Sequence, residues 1–202
     1  MLDKTGHFVI NELRIGSWNI NGVWQRINSF RYNKLHCPEV SDLISNKLIF
    51  GLIETQHTAS EVGSLHITGY KCFSICRPKN KNVKKYKPSG GLAVYIHESI
   101  RSGICKVPMG GTESIILKLR KEFVGTPSDV YLCFAYCVPA NSSVLQNNSC
   151  MPHDVYEDLL DKLNQCGSNG QFILLGDMNA RTQNMADFIP NEDNEHVPVP
   201  PS

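Results

Sequence analysis

The run Phe172-Ile173-Leu174-Leu175 constrains this chain most. Four apolar residues bounded by Gly170 and Gly176 are short for a helix and read as a fully buried strand. Asp177 and Asn179 follow, two positions apart. In extended chain, residues i and i+2 point the same way. A carboxylate and a carboxamide therefore leave the end of a core strand together. The carboxylate can take a proton or a metal, and the amide can donate to an anion. Turn chemistry alone also places Gly, Asp and Asn at strand ends, so the other strands must decide between the two readings.

Two further strands end in polar groups. Leu13 to Ile20 alternates apolar positions and runs into Asn19-Ile20-Asn21-Gly22, where two short amides again stand two apart. An Asn-Gly turn explains this stretch as well as a second polar cluster does. Leu48 to Ile53 reads as a buried strand, and Glu54 follows it directly. A carboxylate there is costly unless it is exposed, paired or metal-bound. Strand ends are where ligands bind in open α/β sheets, so Asn19, Asn21, Glu54, Asp177 and Asn179 are expected on one rim.

The remaining elements are ordinary. Pro38 suits a first helical position, and Val40, Leu43 and Ile44 have helical spacing, so a short helix is expected through about Asn46. Residues 26–36 carry no clear pattern. Strands are expected at Gly69 to Cys76, Leu92 to Ile96, Ile104 to Val107, Ser114 to Leu119 and Val130 to Val138. Tyr136 stands near the end of the last, a place where tyrosine is most often a core residue but also reaches a phosphate. A helix from Pro152 to Cys166 has the stripe Val155, Leu159, Leu160 and Leu163, with Gly167 as its stop. Between Arg77 and Gly91 every charge is positive. A solvated loop accounts for this. Lys84, Lys85 and Lys87 also suit a grip on a phosphate backbone, with Tyr86 free to stack on a base.

The length of 202 residues suits one domain, divided here into a polar lead-in at 1–11, a domain at 12–190 and a flexible tail at 191–202. A net charge of +1 argues against a broadly basic surface but allows a local patch. No apolar run approaches the roughly 18 residues of a membrane span, and the N-terminus has no signal core. The eight cysteines include no Cys-x-x-Cys pair, and several fall on expected core strands, so they read as reduced, buried side chains rather than disulfides or zinc ligands. An intracellular protein is expected, with nucleus and cytoplasm unresolved and the oligomeric state unset.

Taken together, the motifs resemble a known family. Trp18-Asn19-Ile20-Asn21-Gly22, Ile53-Glu54-Thr55, Ser89-Gly90-Gly91-Leu92-Ala93, Tyr136 with Pro139, and Gly176-Asp177-Met178-Asn179-Ala180 occur in the order of the endonuclease/exonuclease/phosphatase superfamily. The chain is most similar to the apurinic-type endonuclease domains of non-long-terminal-repeat retrotransposons. The resemblance implies a four-layer α/β sandwich of two mainly antiparallel β-sheets flanked by helices. It implies a Mg²⁺ site (Mn²⁺ being the alternative) at Glu54 with Asn21 in or near its shell. It makes Asp177 the group that orients or deprotonates the attacking water. Asn19 and Asn179 then help to hold the scissile phosphate, and Tyr136 contacts the phosphate or the leaving oxygen. Such a set suits phosphodiester hydrolysis, which needs a hard cation, an activated water and donors for the phosphoryl oxygens. DNA is the implied partner.

The family pattern continues with a later Ser-Asp-His motif, and no Asp-His pair follows Asp177 here. The chain is therefore expected to lack the final strands and to be weakened or inactive. Three functions stay open: a metal-dependent DNA-nicking endonuclease, a phosphate-monoester phosphatase of the same fold, and a non-catalytic remnant that binds nucleic acid.

Overall fold

The computed structural model describes residues 12–78, 88–109, 111–139, 155–168 and 170–179, with the backbone of 188–190 and 196–198. Two four-stranded sheets make the frame. The first runs β1 (Ile15–Asn19), β4 (Ile49–Ile53), β6 (Leu92–His97), β5 (Tyr70–Ile75). The second runs β10 (Gly170–Asp177), β9 (Asp129–Tyr136), β8 (Ser114–Leu119), β7 (Ile104–Lys106). Both are mainly antiparallel, but β1 pairs parallel with β4 and β10 parallel with β9. Between β1 and β4, β2 (Trp24–Ile27) and β3 (Phe30–Asn33) form an antiparallel hairpin. This hairpin occupies the stretch that shows no clear periodicity.

Strand alternation sorts the apolar side chains into three cores. Ile49, Ile53, Val94 and Ile96 of the first sheet meet Ile115, Leu117, Leu132 and Phe134 of the second. The outward side chains of the first sheet, Phe50, Leu52 and Tyr95, pack under Val40 and Ile44 of helix α1 (Pro38–Ser45). Those of the second, Ile116, Tyr131 and Cys133, pack under Val155 and Leu159 of the long helix after β9 (Val155–Gly167), here α3, the short α2 being Lys121–Val124. The result is the expected four-layer sandwich, helix, sheet, sheet, helix. Gly51 lets the sheets close, since a Cβ there would stand 2.2 Å from Phe134 Cδ1.

Several local expectations are corrected. Strand β10 is not fully buried: Ile173 is 41% and Leu174 39% exposed, because β10 pairs only with β9 among the described residues. An apolar run is compatible with an edge strand as well as a central one. Leu43 and Leu160 lie off the buried faces of their helices and are exposed. Pro152 and the segment holding Lys84, Lys85, Tyr86 and Lys87 lie outside the described residues. His196–Pro198 (β12) pairs antiparallel with Phe188–Pro190 (β11). All seven described cysteines are free thiols, with Cys133 and Cys137 fully buried. Among the described residues no helix is long and apolar enough to cross a membrane.

Candidate active site

Parallel pairing is what assembles the site. Because β1 runs with β4 and β9 runs with β10, the C-terminal ends of all four strands reach one edge of the sandwich. Asn19 is in register with Ile53, just before Glu54, and Tyr136 is in register with Asp177. The two antiparallel partners bring their beginnings to the same edge: Leu92 faces Ile53, and Ser114 faces Ala135. Segments 89–91 and 112–113 therefore join the rim.

Asp177 is held by both oxygens. Asn19 Nδ2 donates to its Oδ2 at 2.8 Å, and the backbone N–H of Asn179 donates to its Oδ1 at 3.0 Å. Asn19 Oδ1 in turn accepts the Asn21 backbone N–H at 3.0 Å, and Asn21 Oδ1 accepts from Gln56 Nε2 at 3.1 Å. Asn179 turns its own Nδ2 to the Cys137 carbonyl at 2.8 Å, which ties the loop after β10 to the end of β9. Tyr136 projects inward between the sheets, and the Glu54 carboxylate lies near its hydroxyl. Burial, then the Glu54 carboxylate, push its phenol far above the ordinary range, with Asp177 adding to the rise and Arg77 opposing it. The phenol thus stays protonated.

The backbone at this edge is unusual. Asn21, Glu54, Gln56 and Asn179 have φ of 46°, 55°, 49° and 45°. Left-handed backbone costs a non-glycine residue roughly 1–2 kcal/mol, although Asn tolerates it better. At Glu54 the conformation is locked from both sides. Gly22 N–H donates to the Glu54 carbonyl at 2.7 Å, and Thr55 N–H donates to Gly91 at 3.0 Å. Such strain collects where a surrounding framework fixes functional groups.

Residues 16–192 match the Endonuclease/Exonuclease/phosphatase family. The chain belongs to that family. Among solved structures, the AP endonuclease LMAP from Leishmania major superposes with a TM-score of 0.59 at 13% identity, over 85% of this chain and 56% of that one. The catalytic domain of Xenopus laevis APE2 gives 0.56 at 17% identity, over 83% of this chain and 59% of that one. At these identities the likeness shows the fold alone. The chain spans less than three fifths of the length of either. No curated protein sequence matches it.

Within this family member, the rim unites Asn19, Asn21, Glu54, Tyr136, Asp177 and Asn179. Its donors suit a hard cation: the Glu54 and Asp177 carboxylates and the Asn amides are all oxygen ligands, the set Mg²⁺ accepts while keeping its waters. Among the described residues, no three or more His, Cys, Asp or Glu side chains come together as a metal-holding group. Enzymes of the family generally depend on a divalent metal.

Sequence reading missed the second tier of the site. Arg77 follows β5 and reaches Glu113 through two bonds, Nε to Oε1 at 2.7 Å and Nη2 to Oε2 at 2.8 Å. Its guanidinium also lies 5.4 Å from the Tyr136 ring centroid and donates to Ser89 Oγ at 3.1 Å. Gly90 makes room for it, since a Cβ there would sit 2.5 Å from Arg77 Cζ. Lys34 donates to the carbonyls of Ile20 and Asn21 at 2.6 and 3.2 Å, pinning the loop after β1. The all-basic run was a signal for Arg77, but nothing local names Glu113 as its partner.

His57 is buried behind the rim, 2% exposed, and shares a 2.7 Å hydrogen bond between Nδ1 and Thr55 Oγ1. Its Nε2 is buried with no hydrogen-bond partner. Burial lowers its pKa, with Glu61 partly opposing. The unfolded chain therefore binds this proton more readily than the folded one. Stability is fully present above the free imidazole pKa of about 6.5 and falls as pH drops below it. Urea midpoints measured from neutral pH to about pH 5 are expected to decline in the wild type and to decline less in His57→Gln.

Proposed function

We propose that this chain is a metal-dependent phosphodiesterase that nicks DNA, an endonuclease domain of retrotransposon type. The observation that carries the reading is the doubly anchored Asp177 carboxylate on the same rim as a second carboxylate, Glu54, both near the protonated phenol of Tyr136. Asp177 is placed to accept a proton from water. Loss of that proton lets the water oxygen attack phosphorus as the bond to the departing sugar oxygen breaks. The proton goes to Asp177 because His57, the histidine nearest this rim in sequence, is turned inward to Thr55. Tyr136 and Asn19 present N–H and O–H donors suited to phosphoryl oxygens. Glu54, with Asn21 beside it, would hold Mg²⁺ or Mn²⁺. A bound divalent ion would neutralise charge developing on phosphate and leaving oxygen. The order of the five motifs supports DNA as substrate and a retrotransposon endonuclease as the nearest kind.

The test is conversion of supercoiled plasmid to open circles by the purified chain with Mg²⁺, beside an EDTA control. Open circles with Mg²⁺ and none with EDTA are expected. An intact plasmid with hydrolysis of p-nitrophenyl phosphate would replace this reading with a monoester phosphatase. An intact plasmid that is nonetheless bound would replace it with a non-catalytic nucleic-acid binder.

A further inference from the structure

The β2–β3 hairpin is built as a rigid arm with an exposed apolar end. Its two turn residues, Asn28 and Ser29, have φ of 47° and 71°. Positive φ at both positions is the type I′ turn, whose twist suits a two-residue hairpin. Serine has no ease in that conformation, so the tight turn is kept at a cost. The base is fixed to the active-site rim. Val23 N–H donates to Thr55 at 2.9 Å, and Lys34 N–H donates to Val23 at 2.8 Å. Asn33 Nδ2 reaches the Ser64 carbonyl at 2.8 Å. One face is fixed as well: Arg31 pairs with Glu61 and lies 4.1 Å over the Trp24 ring, while Thr58 holds Glu61 through its N–H and hydroxyl.

The tip is left uncovered. Ile27 and Phe30 face each other across the hairpin and are 51% and 79% exposed. A packed protein has little reason to hold a phenylalanine rigidly in water. The surrounding charge says what covers it. From Leu13 to Pro38 every charged residue is basic: Arg14, Arg26, Arg31 and Lys34. Arg26 stands directly across from Arg31; Glu61 already pairs with Arg31 and Lys34 is turned to the carbonyls of Ile20 and Asn21, so Arg26 is the charge of this arm left to meet a polyanion. Strand rise limits the tip to roughly 17 Å from the rim, about five base-pair steps at 3.4 Å each.

We propose that the Ile27–Phe30 tip is an apolar wedge for a DNA duplex, with Phe30 stacked on or inserted at a base step within about five of the cleavage site and Arg26 on the neighbouring phosphate. This rests on the DNA-nicking reading above. Apolar wedges of this kind unstack base steps, and a base stacked on an aromatic side chain strengthens binding severalfold to a hundredfold.

The experiment measures binding of a labelled duplex in EDTA, so that turnover plays no part. A 2-aminopurine in the duplex reports unstacking, and hydrolysis of bis(p-nitrophenyl) phosphate with Mg²⁺ reports the site itself. Phe30→Ala is expected to bind about 5- to 100-fold more weakly and to lose the 2-aminopurine signal. Phe30→Trp is expected to keep both, and Arg26→Ala to lower the salt slope by about one. Small-diester hydrolysis is expected to be unchanged in all three. Equal binding and an equal probe signal in Phe30→Ala overturn the proposal. A wild-type dimer in sedimentation that Phe30→Ala abolishes, with DNA binding intact, also overturns it and names a second copy as the occupant. Hydrolysis of the small diester without duplex binding sinks the wedge and leaves the phosphodiesterase. Phe30-dependent binding without hydrolysis sinks the phosphodiesterase and leaves the wedge.

Discussion

Asp177→Ala is expected to slow plasmid nicking by about 10²- to 10⁴-fold, the range for loss of a positioned proton acceptor. The side chain is aimed rather than merely present: Asn19 Nδ2 holds one oxygen at 2.8 Å and the Asn179 N–H the other at 3.0 Å. Alanine removes the acceptor and frees both donors. Asp177→Asn retains the shape but presents no anion, and its rate is expected to fall as far. Folding should change little, because the freed donors lie at a part-exposed edge and a net hydrogen bond there is worth about 1 kcal/mol. Initial rates and melting temperatures on the same preparations check this. A rate within fivefold of wild type, with the fold intact, would move the proton to another group.

Glu113→Ala is expected to have the largest effect on stability. Arg77 and Glu113 are 4% and 5% exposed at their side chains, and the two bonds between them form a bidentate pair. Taking away the carboxylate strands a guanidinium in the interior, at a cost of about 3–5 kcal/mol. That is a large part of a typical stability of about 5–15 kcal/mol. The melting temperature should fall by roughly 6–20 °C for a chain of this size. The double variant Arg77→Met/Glu113→Leu is expected to recover much of the loss, since well-packed apolar residues often replace a buried pair without penalty. It should not recover nicking to the same degree, because Arg77 also lies over Tyr136 and holds Ser89. Calorimetry on the three proteins decides this; a drop of only a degree or two for Glu113→Ala would mean that solvent reaches the charge.

Much of this molecule was legible before its structure. The strands ending at Asn19, Ile53, Tyr136 and Asp177 follow from short apolar runs and the breaks after them. The rim groups Asn19, Asn21, Glu54, Asp177 and Asn179 follow from their places at those ends. The hairpin at 24–33 was not legible, because Asn28-Ser29 lacks the glycine that marks a type I′ turn and the flanking residues do not alternate cleanly. The exposure of Ile173 and Leu174 was hidden too, since a run of four apolar residues reads the same at the edge of a sheet as at its centre.

Local order and chemical identity come from the sequence alone, because periodicity, turn preference and the donors a side chain carries act within a few residues. Which groups meet is a tertiary matter. Asn19 and Asp177 are 158 positions apart and bond because two parallel strand pairs end at one edge. Arg77 finds Glu113 across 36 positions because the sandwich buries both together. No neighbour rule spans such separations; only the closing of two sheets on a common core sets them.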